Sequence, residues 1–258
     1  MAKRATIVTS YFKLNVSKAS HETYVEWMKN MLVIENPMVI FCDEGSREFI
    51  EKERNRTEGR DTVIITTTFT EFHSYKYANE YAANYKVDIE QRVGHTPLLY
   101  MIWAEKSHFL KRAIELDPFR TDYFLWVDIG CFRTPNTQYL NWPNPQRVAQ
   151  LDHSKVLLLS VVPFTDSELL CDTKENLPLF QFTNRIGGTM FGGGKEVLLR
   201  WHDAYYNTLE YFISISRFIG KDQSIMNSVY LLNRDMCDLI TWTPGCPDPW
   251  FYIQEYLV

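Results

Sequence analysis

Tyr123-Phe124-Leu125-Trp126-Val127 is an unbroken apolar and aromatic run that ends in Asp128. A strand without a polar face must be covered on both sides, as in the middle of a parallel sheet. Asp128-Ile129-Gly130 then offers a carboxylate followed by a residue that can turn the backbone sharply. Open α/β sheets collect ligands in the crevice outside the carboxyl ends of their central strands. Asp128 therefore stands where such a sheet puts a working residue. An Asp that only opens a turn or caps the next segment is the plain alternative.

The rest of the chain alternates around this strand. Thr6 to Phe12 reads as a first strand, followed by a helix with Tyr24, Trp27, Met28, Met31 and Leu32 at helical spacing. Met38 to Cys42 is a second strand, Ser46 to Arg56 a charged helix, and Thr62 to Thr66 a third strand. Such alternation implies right-handed crossovers and a mostly parallel sheet flanked by helices. Residues 69–95 lack a clear period and read as a partly helical excursion over the sheet. Pro97 opens a long helix that ends near Leu116 at Asp117-Pro118.

In the second half, Cys131 to Asn144 is irregular, Val156 to Val161 is a buried strand, and Thr165 to Asn176 is a polar loop. Ile186-Gly187-Gly188-Thr189-Met190-Phe191-Gly192-Gly193-Gly194 follows, with five of the 11 glycines inside eight residues. That concentration implies backbone close to a ligand or backbone held at positive φ, a hinge being the alternative. Helices are expected from Lys195 to about Phe218 and from Asp222 to Leu232, and a last strand from Asp238 to Thr243. No repeat or linker divides the 258 residues, so residues 1–258 read as one domain.

Composition narrows the function. The formal net charge of −5 comes with no basic stripe, which argues against nucleic acid as a partner. The 15 Tyr, 16 Phe and 7 Trp suit a carbohydrate or nucleotide site, though aromatics mostly fill cores. The five cysteines are odd in number, far apart and free of C-x-x-C, so neither a disulfide framework nor a zinc site is indicated. Met1-Ala2-Lys3-Arg4 leads straight into a strand, and the longest apolar run, near Val156 to Val162, is too short for a bilayer. A soluble, cytoplasmic protein without a membrane span is expected. In that compartment the glycosylation-type motif Asn55-Arg56-Thr57 is irrelevant.

Three positions carry chemistry. Lys106 falls on the apolar stripe of the long helix, among Leu99, Ile102, Trp103, Phe109, Leu110 and Ala113. Its ammonium must find an anion, or its stem must snorkel to water, because a buried unpaired ammonium is costly. Asp222 opens a helix, where the dipole favours a carboxylate, and Gln223 stands beside it. Thr9, Ser10 and Tyr11 end the first strand with two hydroxyls and a stacking ring. No G-x-G-x-x-G follows that strand, and no P-loop, G-x-S-x-G or metal-spaced His pair occurs.

An acid at a central strand end, a Gly-rich second half and Asp222-Gln223 at a helix start together resemble a GT-A-type glycosyltransferase. More specifically, Ile7-Val8-Thr9-Ser10-Tyr11, Tyr24-Val25-Glu26-Trp27 and Met38-Val39-Ile40-Phe41 resemble the opening of the YibB/HtrL-like family. Lys106 to Ala113, Asp117-Pro118-Phe119 and Phe124 to Gly130 are similar to that family's central block. The resemblance implies a Rossmann-like nucleotide-sugar half over about residues 1–130 and an acceptor half over about 131–258. It implies transfer of a sugar from a nucleotide-sugar, a UDP-sugar, to a hydroxyl of a glycan or glycoprotein acceptor. Small enzymes of this type also occur in large DNA viruses, so a chlorovirus-like xylosyltransferase using UDP-xylose falls within it.

On that resemblance Thr9, Ser10, Tyr11, Lys106, Asp128 and Gly130 would hold the donor, with Lys106 toward its diphosphate. Gly187, Gly188 and Gln223 would meet the sugar and acceptor, and Asp222 would be the general base of an inverting transfer. Asp166, Glu168 and Asp248 are the alternative bases. GT-A enzymes commonly place Asp-x-Asp at this strand end to hold a divalent metal. Here the second acid is missing. Either Asp128 alone holds Mn²⁺ or Mg²⁺ with phosphate oxygens and waters, or Lys106 supplies the positive charge. A nucleotide-sugar-binding module without turnover, or another α/β transferase, are the competing readings.

Overall fold

In the computed structural model, which describes residues 5–56, 59–135 and 137–258, the apolar runs become strands. These are β1 (Ala5–Tyr11), β2 (Met38–Cys42), β3 (Thr62–Thr66), β4 (Tyr123–Val127), β5 (Val156–Ser160), β6 (Ile186–Gly194) and β7 (Cys237–Thr241). The helices among the described residues are α1 (His21–Leu32), α2 (Glu44–Arg54), α3 (Ala78–Tyr85), α4 (Pro97–Leu116) and α5 (Pro145–Gln150). They continue with α6 (Asp166–Leu169), α7 (Lys195–Ser214), α8 (Asp222–Leu232) and α9 (Tyr252–Tyr256). The start Met1-Ala2-Lys3-Arg4 and Thr57 of the glycosylation-type motif lie outside the described residues.

One seven-stranded sheet runs in the order β3-β2-β1-β4-β6-β5-β7. All neighbours pair in parallel except β6, which is antiparallel to both β4 and β5. The sheet is thus mostly parallel, and the expected α/β architecture is what forms. The completely buried β4 sits fourth of seven, between β1 and β6. From β1 the chain winds outward to β2 and β3, and then returns to place β4 on the other side of β1. The order therefore reverses between β1 and β4.

Side-chain alternation divides the strands between two cores. Phe124 and Trp126 point to one face, with Val8 and Phe41, where α4, α7 and α8 pack through Phe109, Trp201 and Ile225. Tyr123, Leu125 and Val127 point to the other, with Ile7 and Ile40, covered by Met28 and Met31 of α1 and by Ile253. Fully burying one large apolar side chain stabilises by about 1.5–3 kcal/mol, so two continuous faces commit this strand to the interior.

Caps set the helix starts. Thr96 Oγ1 accepts from Leu99 N–H at 3.1 Å ahead of Pro97, which opens α4. Asp43 Oδ1 accepts from Ser46 N–H at 2.8 Å, so α2 begins two residues earlier than its apolar pattern suggests. Residues 69–95 fold as single 3₁₀ turns around α3. The Gly-rich stretch is the main departure. It forms β6, and none of its five glycines has positive φ. Their missing side chains serve close packing, as at Gly188, where a Cβ would lie 2.6 Å from Asp222 Oδ2.

Candidate functional site

Where the strand order reverses, β1 and β4 end beside a cavity of about 540 Å³, a size ordinary for a small-molecule site. Ser10 and Tyr11 line it from the end of β1, and Asp128, Ile129 and Gly130 from the end of β4. Tyr24 and Trp27 of α1 form one wall. Leu99, Ile102, Trp103 and Lys106 of α4 form another, so the upper part of the helix stripe is cavity wall while Phe109, Leu110 and Ala113 are core. Thr189 of β6 and Phe251 complete it.

The floor is an ionic triad. Trp126, on β4, and Asp128, just past its end, lie two apart and share a face, toward α4. Trp126 Nε1 donates to Asp128 Oδ1 at 2.8 Å. From α4, Lys106 Nζ lies 3.1 Å from Asp128 Oδ1 and 3.3 Å from Oδ2. The same ammonium lies 2.8 Å from Asp222 Oδ2 and donates to the Gly188 carbonyl at 2.8 Å. The ammonium is thus hydrogen-bonded to Asp128 and Gly188 and ion-paired with both acids. The contact to Asp222 is ionic, since Oδ2 makes no well-aligned hydrogen bond, while Asp222 Oδ1 accepts from Gln223 N–H at 2.9 Å.

Lys106 is 3% exposed and Asp222 2%, whereas a third of the Asp128 side chain remains open to the cavity. Burial alone would lower the ammonium's proton affinity, but Asp128 and Asp222 outweigh it and hold Lys106 above its ordinary range. Burial raises Asp128 above the usual carboxylate value, opposed by Lys106 and reinforced by the nearby Asp222 charge. Lys106 is therefore a charged bridge between two acids and does not snorkel.

The expected site residues sort by distance from this cavity. Ser10, Tyr11, Lys106, Asp128 and Gly130 line it. Thr9 does not: it is completely buried, and its hydroxyl has no hydrogen-bond partner among the described residues. Tyr11 is 7% exposed, its hydroxyl pairs with His21 Nδ1 at 2.6 Å, and its ring stacks on His21 at 6.0 Å. Burial, with Asp43 adding, pushes its phenol up to about 12. One face of this ring is therefore covered from the start. Gly130 has no positive φ; a Cβ there would come within 3.1 Å of both Tyr24 and Trp27. The expected turn is there, with Cys131 N–H donating to the Asp128 carbonyl at 3.0 Å, and Gly130 adds close packing to it.

Asp222, Gly188, Gly187 and Gln223 lie behind the wall. Asp222 heads α8 as anticipated, but Lys106 stands between it and the cavity. Gly188 enters through its carbonyl, and Gly187 lies under Val161 and Trp250. Of the other acids, Glu168 pairs with Arg185 at 3.0 Å, Asp248 caps the turn at Trp250, and Asp166 is exposed on α6.

The wall also holds residues with no local sequence signal. Arg133 lies in the segment read as irregular. Its guanidinium carbon is 4.7 Å from the Trp27 ring centroid and 4.6 Å from that of Phe251. These partners are remote in sequence, so nothing near Arg133 announces the arrangement.

A divalent metal at Asp128 fits this arrangement poorly. Each carboxylate oxygen already accepts from or abuts a nitrogen, the second acid of the pair is buried behind Lys106, and an ammonium stands where a cation would be drawn. Among the described residues, the acids and histidines whose ligand atoms converge are Asp88, Glu90 and His95. These already bind one another and their neighbours, with His95 Nδ1 on Asp88 at 2.8 Å, the Tyr100 hydroxyl on Asp88, and Lys221 on Glu90. Among the described residues, no helix is long and apolar enough to cross a membrane.

The family described as a bacterial protein of unknown function (HtrL_YibB) matches residues 3–245. Protein HtrL of Escherichia coli (strain K12) is 22% identical over 267 residues, covering 93% of this chain and 88% of that protein.

Proposed function

We propose that this chain, which belongs to the HtrL_YibB family, moves a sugar from a nucleotide-sugar to a hydroxyl of a glycan or glycoprotein acceptor. The observation that carries the reading is the cavity at the strand-order reversal between β1 and β4, with Asp128 on its floor. Doubly wound sheets bind nucleotide ligands at this place. The seven-stranded order with one antiparallel strand next to β4 is consistent with a GT-A-like fold.

In this reading a UDP-sugar enters along Ser10 and Tyr11, and the aromatic walls at Tyr24, Trp27 and Trp103 receive base or sugar rings. The acceptor oxygen bonds to the anomeric carbon as that carbon's bond to the diphosphate breaks. The nucleoside diphosphate leaves with the electron pair, and the hydroxyl proton passes to a carboxylate. We assign that carboxylate to Asp128, because the cavity reaches it and does not reach Asp222. Its raised proton affinity suits a base. Asp222 then holds Lys106 in place. UDP-xylose belongs in the donor screen because of the resemblance to small viral transferases. The five cysteines are free thiols, in keeping with the cytoplasmic setting that forms part of this proposal.

A binding module without turnover is the second reading, favoured by the ammonium that sits on the one acid facing the cavity. UDP release separates the two. Wild type incubated with a panel of UDP-sugars should release UDP, and Asp128→Asn should lose roughly 10²–10⁴-fold in kcat with donor affinity kept. Donor binding without any UDP release, with or without glycan acceptors, would leave the binding module standing and remove the transferase.

A further inference from the structure

We propose that the diphosphate of the ligand is received by Arg133, held against Trp27 and Phe251, and that this binding needs no divalent metal. The inference rests on the nucleotide-sugar reading of the same cavity and names the group that meets the anion there.

Three cations line the cavity, Lys13 just past the end of β1, and Lys106 and Arg133, which flank the end of β4. Lys106 is already committed, donating to Asp128 and to the Gly188 carbonyl and lying 2.8 Å from Asp222 Oδ2 as its ionic partner. Turning toward a phosphate would strip Asp222 of its counter-charge inside the protein, which the fold opposes. Arg133 is in the opposite condition. It is exposed, it lines the cavity, and no carboxylate pairs with it among the described residues.

Its guanidinium carbon lies 4.7 Å from the Trp27 ring and 4.6 Å from the Phe251 ring, so two aromatic rings hold the cation in place. A guanidinium edge is a row of N–H donors whose spacing matches two phosphate oxygens. Contact with two rings restricts the side chain in advance, so less rotamer freedom remains to be lost on binding. The disagreement between the fold's usual metal and the residues present follows from the same geometry. The metal's position beside Asp128 is taken by an ammonium, and the anion's partner is a second organic cation on the wall.

Isothermal titration with UDP and with inorganic pyrophosphate, each in EDTA and in Mn²⁺, tests this on the full chain. Wild type should bind both ligands with the same affinity in either buffer. Arg133→Met, which keeps apolar bulk against the rings, should weaken both by roughly 10–100-fold. Arg133→Lys should recover part of that loss, because it restores charge without the fork. Equal melting temperatures for the three proteins confirm that this exposed position leaves the fold intact.

Affinity lost in EDTA and restored by Mn²⁺, or unchanged in Arg133→Met, overturns the inference, as does wild type binding neither ligand. If pyrophosphate binds in EDTA through Arg133 while no UDP-sugar is turned over, the inference stands and the transferase reading falls.

Discussion

Lys106→Met removes the charge of the bridge and keeps most of its volume. At an effective dielectric of about 20, Coulomb's law gives about 6 kcal/mol for the 2.8 Å contact to Asp222 and about 5 kcal/mol for the 3.1 Å contact to Asp128. Desolvation of the ammonium and of Asp222, whose side chain is 1% exposed, offsets much of this. Taking away one partner of such a buried pair typically costs about 3–5 kcal/mol, which for a chain of this length lowers Tm by roughly 6–20 °C. Urea unfolding at neutral pH measures the loss.

The pH dependence has a fixed sign. Burial raises Asp128 and Lys106 opposes that rise, so the variant's Asp128 binds its proton more tightly still. A group raised in the folded state adds stability below its unfolded value, about 3.9, and that contribution is lost as pH rises through the folded value. The deficit of Lys106→Met against wild type should therefore be largest at neutral pH and shrink toward about pH 4. The double variant Lys106→Met/Asp222→Asn should be more stable than Lys106→Met alone, because it removes the buried acid left unpaired and leaves only the partly exposed Asp128. A loss below about 1 kcal/mol at neutral pH, the worth of a surface pair, would refute the bridge. So would coupling below roughly 0.5 kcal/mol in the double-mutant cycle.

Asp222→Asn distinguishes a positioning residue from a base: with Lys106 still paired to Asp128, kcat should stay within about tenfold of wild type while Tm falls. A loss of roughly 10²–10⁴-fold in kcat at unchanged Tm would return the base to Asp222. A second pH effect belongs to the histidine cluster His73, His108 and His202. Burial, together with charges that include Lys76, Lys111 and Arg112, holds His73 down to about 4 and His108 down to about 3. The unfolded chain binds protons at these groups first, so stability falls as pH drops from about 6.5 toward those values. His108→Gln should flatten that fall in denaturation measured across the window, and an unchanged slope would show that His108 does not contribute.

The fold was legible wherever a local period and chain order decide it. Buried runs and helical stripes are local facts, and they fixed β1 to β5, α1, α2, α4, α7 and α8 to within a few residues. β6 was not legible because it has two apolar runs' worth of length but few side chains, and its strand character comes from hydrogen bonds to β4 and β5 on either side. Its glycines answer to Asp222, Phe124 and His153, which are remote in sequence.

The site divides in the same way. Asp128, Ser10 and Tyr11 were readable because strand ends at an order reversal are positions that topology assigns. What they do there depends on partners from other elements. Lys106 looked ready for a ligand on its helix alone, until a carboxylate from α8 and a carbonyl from β6 met it. Arg133 looked like loop, until rings from α1 and from the turn before α9 closed on it. In each case the charge was visible in the sequence and its availability was not. Availability is a property of the assembled wall, and it decides which of Lys106 and Arg133 is free to meet an anion.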